Sequence, residues 1–464
     1  MSVEIRRATA RLAEFAVSAT PPAGARAAAA TAYLDTVGVT LAGAAEPAAR
    51  IVQDVIASEG TGACHVFGTP FTASASAAAL ANGTAAHALD YDDMCFVSLA
   101  HPSAPLVSAA LAAGEASGAS GRGVLDAYVV GFEIEGRLGR AMNPRHYERG
   151  WHCTSTLGTV GAAAAAARTL GLDVATAGHA LAIAASSASG LKENFGTMVK
   201  PLHAGLAARN AVLAALLAKR GMTASDAAIE GPQGFLHAMD SRVESLDEVI
   251  GDLGVRWEIL DTGITVKLYP SCAGTHPTLD ALLDLVRREH VTADQVEAVE
   301  IGVDAIVPTI LIYDRPASGL EGKFSMPFCA AVAIVDRKVG VDTFQAARIA
   351  DPKIAALMPR VTMRVDSTLD AGAPRLTQAR VTVRLNDGRT LQASANGARG
   401  YPARPASPEE LATKFLTCAS RTLSSAQAQQ ALDALRGIER VQDVRTMAEQ
   451  LASREGVSRA SRPR

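Results

Sequence analysis

Hydrophobic periodicity changes after Thr265 and reverts near Pro408, and those changes limit the architectures this chain can adopt. From about Ala25 to Lys219, apolar residues recur at helical spacing in segments broken by Gly, Pro or Asn. The segments Gly121 to Arg140, Thr154 to Leu170 and Leu202 to Lys219 each end near a glycine or a basic residue, as helix C-termini do. After Thr265 the stretches QVEAVEIGVDAIV, VTMRVDS and ARVTVRLNDGRTLQASA alternate apolar and polar residues, the pattern of strands with one covered face. Asn386-Asp387-Gly388 in the last of them is a hairpin signal. Between the strands, Pro277 to Glu289 and Met326 to Arg337 read as helices. The fold class is therefore mainly α with a second α+β domain: a large all-helical domain over residues 1–265, and a smaller domain with an antiparallel sheet over 266–405. Pro402 to Pro408 marks the far boundary, after which the spacing is helical again. Residues 409–452 are thus expected to complete the first domain, making it discontinuous, and the Arg/Ser-rich tail 453–464 is expected to be disordered.

Composition narrows the function. Aromatics are 4% of a chain rich in alanine, which suits closely packed helices. A net charge of -3, with no basic run interleaved with aromatics, offers nothing to a nucleic acid. The six cysteines are far apart and form no C-x-x-C pair, so they read as buried thiols of a cytoplasmic protein. The start, MSVEIRRATARLAEFAVS, reads as an amphipathic helix and not as a secretory signal. The richest apolar stretch, Leu157 to Ala167, is about half the ~20 residues of a membrane span, so a soluble protein without membrane contact is expected.

Three polar constellations carry the chemistry. In His87-Ala-Leu-Asp90-Tyr91-Asp92-Asp93-Met94, helical spacing puts His87, Asp90, Tyr91 and Met94 on one face, and His101-Pro102-Ser103 follows. An imidazole beside a carboxylate can move protons, and mutual repulsion among the three carboxylates should raise one pKa. The alternatives are a solvated helix end and a divalent-cation site on oxygen ligands. The second constellation runs from Lys192 to Gly205, where Lys200 precedes Pro201 at a helix start and His203 follows. A carboxylate would suit the free N–H groups and the ammonium there. The third, Lys267 to Pro277, contains Tyr269 and places His276 at a helix N-terminus capped by Thr275, where the dipole favours a neutral imidazole. His152 in Gly150-Trp151-His152 and Lys323 in KFSMPF are weaker signals. No phosphate-binding loop, dinucleotide fingerprint, G-x-S-x-G or H-E-x-x-H is present, which leaves side-chain acid/base work on an acidic substrate.

In order, NGTAAHALDYDD with HPS, GWH-x-T, KPLHAG, YPSCAGTHP and KFSMPF resemble the MmgE/PrpD family over residues of about 5 to 450. That family includes 2-methylcitrate dehydratases, cis-aconitate decarboxylases and iminodisuccinate epimerases, which act beside a carboxylate without a bound cofactor. The resemblance implies an α+β lid over a helical domain, an active site between them and a homodimer. It assigns catalytic roles to Asp90, His101, Lys200 and His276. His87, Tyr91, Met94, His152, His203, Lys267, Tyr269 and Lys323 are the accompanying substrate-binding candidates. One departure stands out: where the family commonly has threonine after D-x-D-D, this chain has Met94, which removes a hydroxyl and makes the pocket more apolar.

The expected activity is a cofactor-free hydro-lyase on a small di- or tricarboxylic acid, with no metal and no cofactor. Lys200 would bind carboxylate, His276 or Asp90 would remove the α-proton, and His101 would assist the leaving group. Epimerisation and decarboxylation are alternatives on the same residues. A metal-dependent lyase using Asp90, Asp92 and Asp93, and a non-catalytic carboxylate-binding protein, are the rivals from other classes.

Overall fold

The computed structural model describes residues 7–239, 241, 244–369 and 377–453. In the larger unit, one hydrophobic core combines residues from Ala8 to Ile259 with others from Phe415 to Leu451. Helix Cys153–Thr169 is buried at every residue from Cys153 to Ala167, and a helix buried on all sides belongs at the centre of a stack. Helices Ser103–Ser117, Gly121–Met142, Val174–Ser187 and Val199–Lys219 pack around it. Side-chain caps set two of their starts: Ser120 accepts the Gly123 N–H, and Asp173 accepts that of Thr176. The unit is not wholly helical, however. Cys64–His65 (β1) and Thr72–Ala73 (β2) form an antiparallel ribbon, too short to leave an alternating pattern in the sequence.

Val199–Lys219 is also the one helix among the described residues that is long and apolar enough to cross a bilayer by length and composition. It is not the stretch singled out from sequence. Lys200 lies in its first turn, and its buried face packs on helices Ala75–His87 and Cys153–Thr169. All six cysteines are free and buried.

The smaller unit holds strands Val296–Val303 (β3), Val361–Val365 (β4), Gln378–Leu385 (β5) and Thr390–Asn396 (β6), in the order β4-β3-β5-β6. β5 joins β6 by the Asn386-Asp387-Gly388 turn, where Gly388 takes φ 87°. β3 and β5 are antiparallel, but β3 and β4 are parallel, so the sheet is mixed and not the antiparallel sheet expected. The reason is the connection: residues 304–360 cross over through short helices, and such a crossover returns the chain in the same direction. Helices His276–Arg288 and Met326–Asp336 pack together, one against β5 and β6 and the other against β4, and share a second core with the sheet.

Helix Pro408–Ala419 opens with a capping box between Ser407 and Glu410 and carries the chain back to the helical unit. At the far end Ser453, expected to begin a disordered tail, is buried and donates its N–H to the Thr69 carbonyl. The rest of that tail, residues 454–464, lies outside the described residues.

Candidate active site

Two helices meet at glycines to start the site. A Cβ on Gly83 would lie 2.9 Å from the Gly205 Cα, and one on Gly205 would lie 2.1 Å from Thr84 Oγ1. Only glycine permits that approach. It brings His87, at the end of Ala75–His87, beside Lys200, in the first turn of Val199–Lys219. Pro201 is the third residue of that helix and not the first.

Beyond His87 the helix ends, so the expectation of one helical face for His87, Asp90, Tyr91 and Met94 fails. Asp90 sits in left-handed backbone, φ 52°, a conformation that few non-glycine residues adopt and that clusters at functional sites. Four lysines hold this turn. Lys323 donates to the Leu89 carbonyl (2.7 Å) and the Pro270 carbonyl (2.8 Å). Lys267 donates to the Asp90 carbonyl (2.9 Å) and to Asp90 Oδ2 (2.8 Å). Lys414 donates to the Tyr91 and Lys267 carbonyls, both at 2.8 Å, and pairs with buried Asp35 at 2.6 Å. Lys200 donates to Asp90 Oδ1 at 2.5 Å.

The three carboxylates of the motif have three different environments. Burial would raise Asp90, but Lys200 and Lys267 outweigh it and hold the carboxyl well below the usual range. Asp92 accepts from His87 Nδ1 at 2.8 Å. Asp93 accepts from the Ser103 hydroxyl and backbone N–H, yet burial pushes it up to about 8. One carboxyl is therefore raised, but by desolvation first and by its neighbours' repulsion second.

Lys200 Nζ lies 2.7 Å from His87 Nε2. With Nδ1–H directed at Asp92, the imidazole is neutral and accepts from the ammonium. Its pKa is lowered chiefly by burial, and Lys200 adds to that. Of the three ammonium hydrogens on Lys200, one goes to Asp90 and one to His87, which leaves one for the cavity.

That cavity lies between the two units. The sequence candidates that line it are Asp90, Met94, His101, His152 and Lys200. His101 places Nε2 at 3.9 Å from Asp90 Oδ1 and Nδ1 at 3.6 Å from Asp92 Oδ2. Burial first, then Lys267 and Lys200, hold it well below the ordinary imidazole pKa, so it is neutral. His152 shares a hydrogen bond with His203, Nδ1 to Nδ1 at 3.1 Å, and stacks on His87.

His276 does not line the cavity. Its Nε2 is 3.1 Å from the Ser271 carbonyl, and its ring packs edge-on against Tyr269 at 5.2 Å. Burial, with Lys267 nearby, pushes it down to about 3. His87, Tyr91, His203, Lys267, Tyr269 and Lys323 likewise stand behind or beside the wall. Tyr91 lies under the Lys414 ammonium, and Tyr269 donates to Asp280 at 2.6 Å. Sequence reasoning missed much of the wall. Phe195, Cys272 and Phe324 sit inside quoted motifs and could have been found there, whereas Leu99, Ile306 and Ile310 carry no local signal.

Ligand atoms of His87, Asp92 and His101 come within 4.8 Å of one another, as a metal site would require. The donor set does not fit one. Both His87 nitrogens are engaged, one by an ammonium, and Asp90 is saturated by two lysines. A divalent ion would have to displace fixed positive charges.

The arrangement brings an ammonium, an ionised carboxylate and neutral imidazoles together at one cavity between a helical unit and an α+β unit. The sequence matches the MmgE/PrpD N-terminal domain over residues 10–245 and the MmgE/PrpD C-terminal domain over residues 269–439. The chain belongs to the MmgE/PrpD family. It is 27% identical over 449 residues to a cis-aconitate decarboxylase of Aspergillus terreus, covering 90% of each chain. The Homo sapiens cis-aconitate decarboxylase is 28% identical over 376 residues, 79% of this chain and 77% of its own. That of Mus musculus is 29% identical over 377 residues, 77% and 75% respectively. Family and relatives together make this chain an enzyme of lyase type.

Proposed function

We propose that this enzyme is a carboxy-lyase that works with its own side chains on a small unsaturated carboxylic acid. The observation that carries this reading is the convergence of Lys200, neutral His101 and ionised Asp90 at a cavity whose remaining wall is mostly apolar, with Tyr147, His152 and Thr377 as its uncharged polar exceptions. A retained carboxylate accepts the third Lys200 N–H. The departing carboxylate lies against the apolar wall, where loss of hydration favours release of carbon dioxide. Its bonding electron pair passes into the adjacent double bond, and Lys200 delivers a proton to the carbon next to the retained carboxylate. The named relatives and the apolar wall put carbon dioxide loss ahead of the water loss favoured from sequence.

Dehydration is the second reading, and neutral His101 favours it. An uncharged imidazole beside Lys200 is able to remove an α-proton while the ammonium protonates the leaving hydroxide. His276 and Asp90, named for that task from sequence, are poorly placed for it: one is outside the cavity wall and the other is clamped by lysines.

The test is proton NMR in deuterium oxide with chelator-treated protein and cis-aconitate, 2-methylcitrate and simpler unsaturated diacids. Carbon dioxide release with one deuterium entering beside the retained carboxylate is expected. Water loss would select the second reading, and turnover only after magnesium or manganese is restored would replace both with a metal-dependent one.

The pH profile provides a separate check. Because the His101 pKa is lowered, the neutral form persists to lower pH than for an ordinary imidazole. kcat/KM should stay level through neutral pH and fall only in acid, where an imidazolium would pair with the departing carboxylate and hold it. A rate that instead climbs as pH falls through 6.5 would move proton donation from Lys200 to His101.

A further inference from the structure

We infer that the preferred substrate is an unsaturated dicarboxylate bearing a hydrocarbon arm where cis-aconitate bears its third carboxylate. This rests on the carboxy-lyase reading and concerns the charge and surface that the cavity offers.

Among the described residues that line the cavity, Lys200 is the only cation and Asp90 the only anion. His101 and His152 are held neutral by burial and by the neighbouring ammonium groups. Immediately behind stand Lys267, Lys323 and Asp92, with Asp93 protonated at neutral pH. Lys414 and Asp35 cancel as a pair. Lys267, Lys323 and Lys414 are engaged by Asp90, backbone carbonyls and Asp35, and two of the three Lys200 hydrogens by Asp90 and His87, so the polar end offers an anion one positive group, Lys200.

One positive charge matches one retained carboxylate. The departing carboxylate needs no partner, because its desolvation assists its loss. A third carboxylate would have to lie against a wall in which Met94, Phe96, Leu99, Ile306, Ile310 and Phe324 outnumber the uncharged polar groups of Tyr147, His152 and Thr377, and no lining side chain but Lys200 carries a positive charge to neutralise it. The same surface would bury an alkyl arm favourably. Met94 and Ile310 reach it from the two different units, so the apolar character belongs to the whole cleft and not to one substitution.

Glutaconates substituted at C3 provide the matched comparison, since cis-aconitate is itself glutaconate with a carboxylate at that position. In each, the bond from the allylic carbon to its carboxylate breaks and the electron pair shifts the double bond. Carbon dioxide leaves, and the carbon next to the retained carboxylate gains a proton from Lys200, which recovers one from water. No oxidant or reductant is involved.

The experiment measures kcat/KM by carbon dioxide release for cis-aconitate and for glutaconates with methyl, ethyl or propyl at C3. The propyl compound is expected to exceed cis-aconitate by about 10- to 100-fold, with roughly 3- to 4-fold gained per methylene along the series. Faster turnover of cis-aconitate would overturn the inference and leave the carboxy-lyase reading intact. Turnover of none of them would remove both. Two variants, Ile310→Lys and Ile306→Lys, each add a cation to a half-buried wall position. Each is expected to shift the kcat/KM ratio at least 10-fold towards cis-aconitate, and an unchanged ratio in both, with folding intact, would overturn the charge argument.

Discussion

Replacement of Lys200 by methionine is expected to lower kcat/KM by about 10³- to 10⁴-fold while the protein remains folded. In the proposed mechanism the loss combines two functions of one ammonium, which binds the retained carboxylate and supplies the proton. Folding should survive because Asp90 keeps the Lys267 contacts at its carbonyl and at Oδ2. Lys200→Arg separates the two functions. A guanidinium keeps the charge but gives up its proton far less readily than an ammonium, so KM should be largely restored while kcat remains low. Recovery of kcat in the arginine variant would show that Lys200 acts through charge alone. A thermal melt of each variant is the control for folding.

The second large effect concerns stability. Lys414 is the sole ion-pair partner of Asp35 among the described residues, and both are buried. Asp35 is raised by burial and pulled back by Lys414. Lys414→Met leaves that carboxyl without its partner and frees the Tyr91 and Lys267 carbonyls. A cost of about 3–5 kcal/mol is expected, read as a lowered urea midpoint or Tm. In the double variant Asp35→Leu with Lys414→Met the buried charge is gone as well, and more than half of the loss should return. A single variant that loses less than about 1 kcal/mol would mean that water reaches Asp35 and that the pair does not anchor the turn.

The parts of the molecule that could be read from sequence are those governed by local rules. The hairpin at Asn386-Asp387-Gly388 and the return to helix after Pro408 follow from turn chemistry, capping and spacing, whereas the helix around Pro277 starts without the Thr275 side-chain cap expected of it, because that hydroxyl donates to the Cys272 carbonyl at 2.8 Å. The pairing of β3 with β4 depends on a crossover of residues 304–360, and no local pattern records its direction. The motifs likewise point to the residues around Asp90, Lys200 and His101, because polar groups inside apolar helices stand out. Helical spacing could not anticipate that Asp90 would leave the helix for left-handed backbone, since the cause lies in lysines as distant as Lys267 and Lys414. It also could not separate His276, turned to the Ser271 carbonyl, from His101, which faces the cavity. Ile306 and Ile310 join the wall only through the packing of one unit on the other, and a lone isoleucine in sequence looks the same wherever it ends up.

The turn from Leu89 to Tyr91 belongs to the helical unit, yet its successive carbonyls are taken by Lys323 of the α+β unit, Lys267 of the connecting segment and Lys414 of the returning helix. This ties the inheritance of the two halves together. A recombinant that joined the first 260 residues of this chain to the second half of a relative would keep Asp90, His101 and Lys200. Its reacting groups would nevertheless be out of register unless the new half brought ammonium groups to the same three oxygens. Over evolutionary time, such a turn restrains the exchange of lids more strongly than the surface area of their contact would.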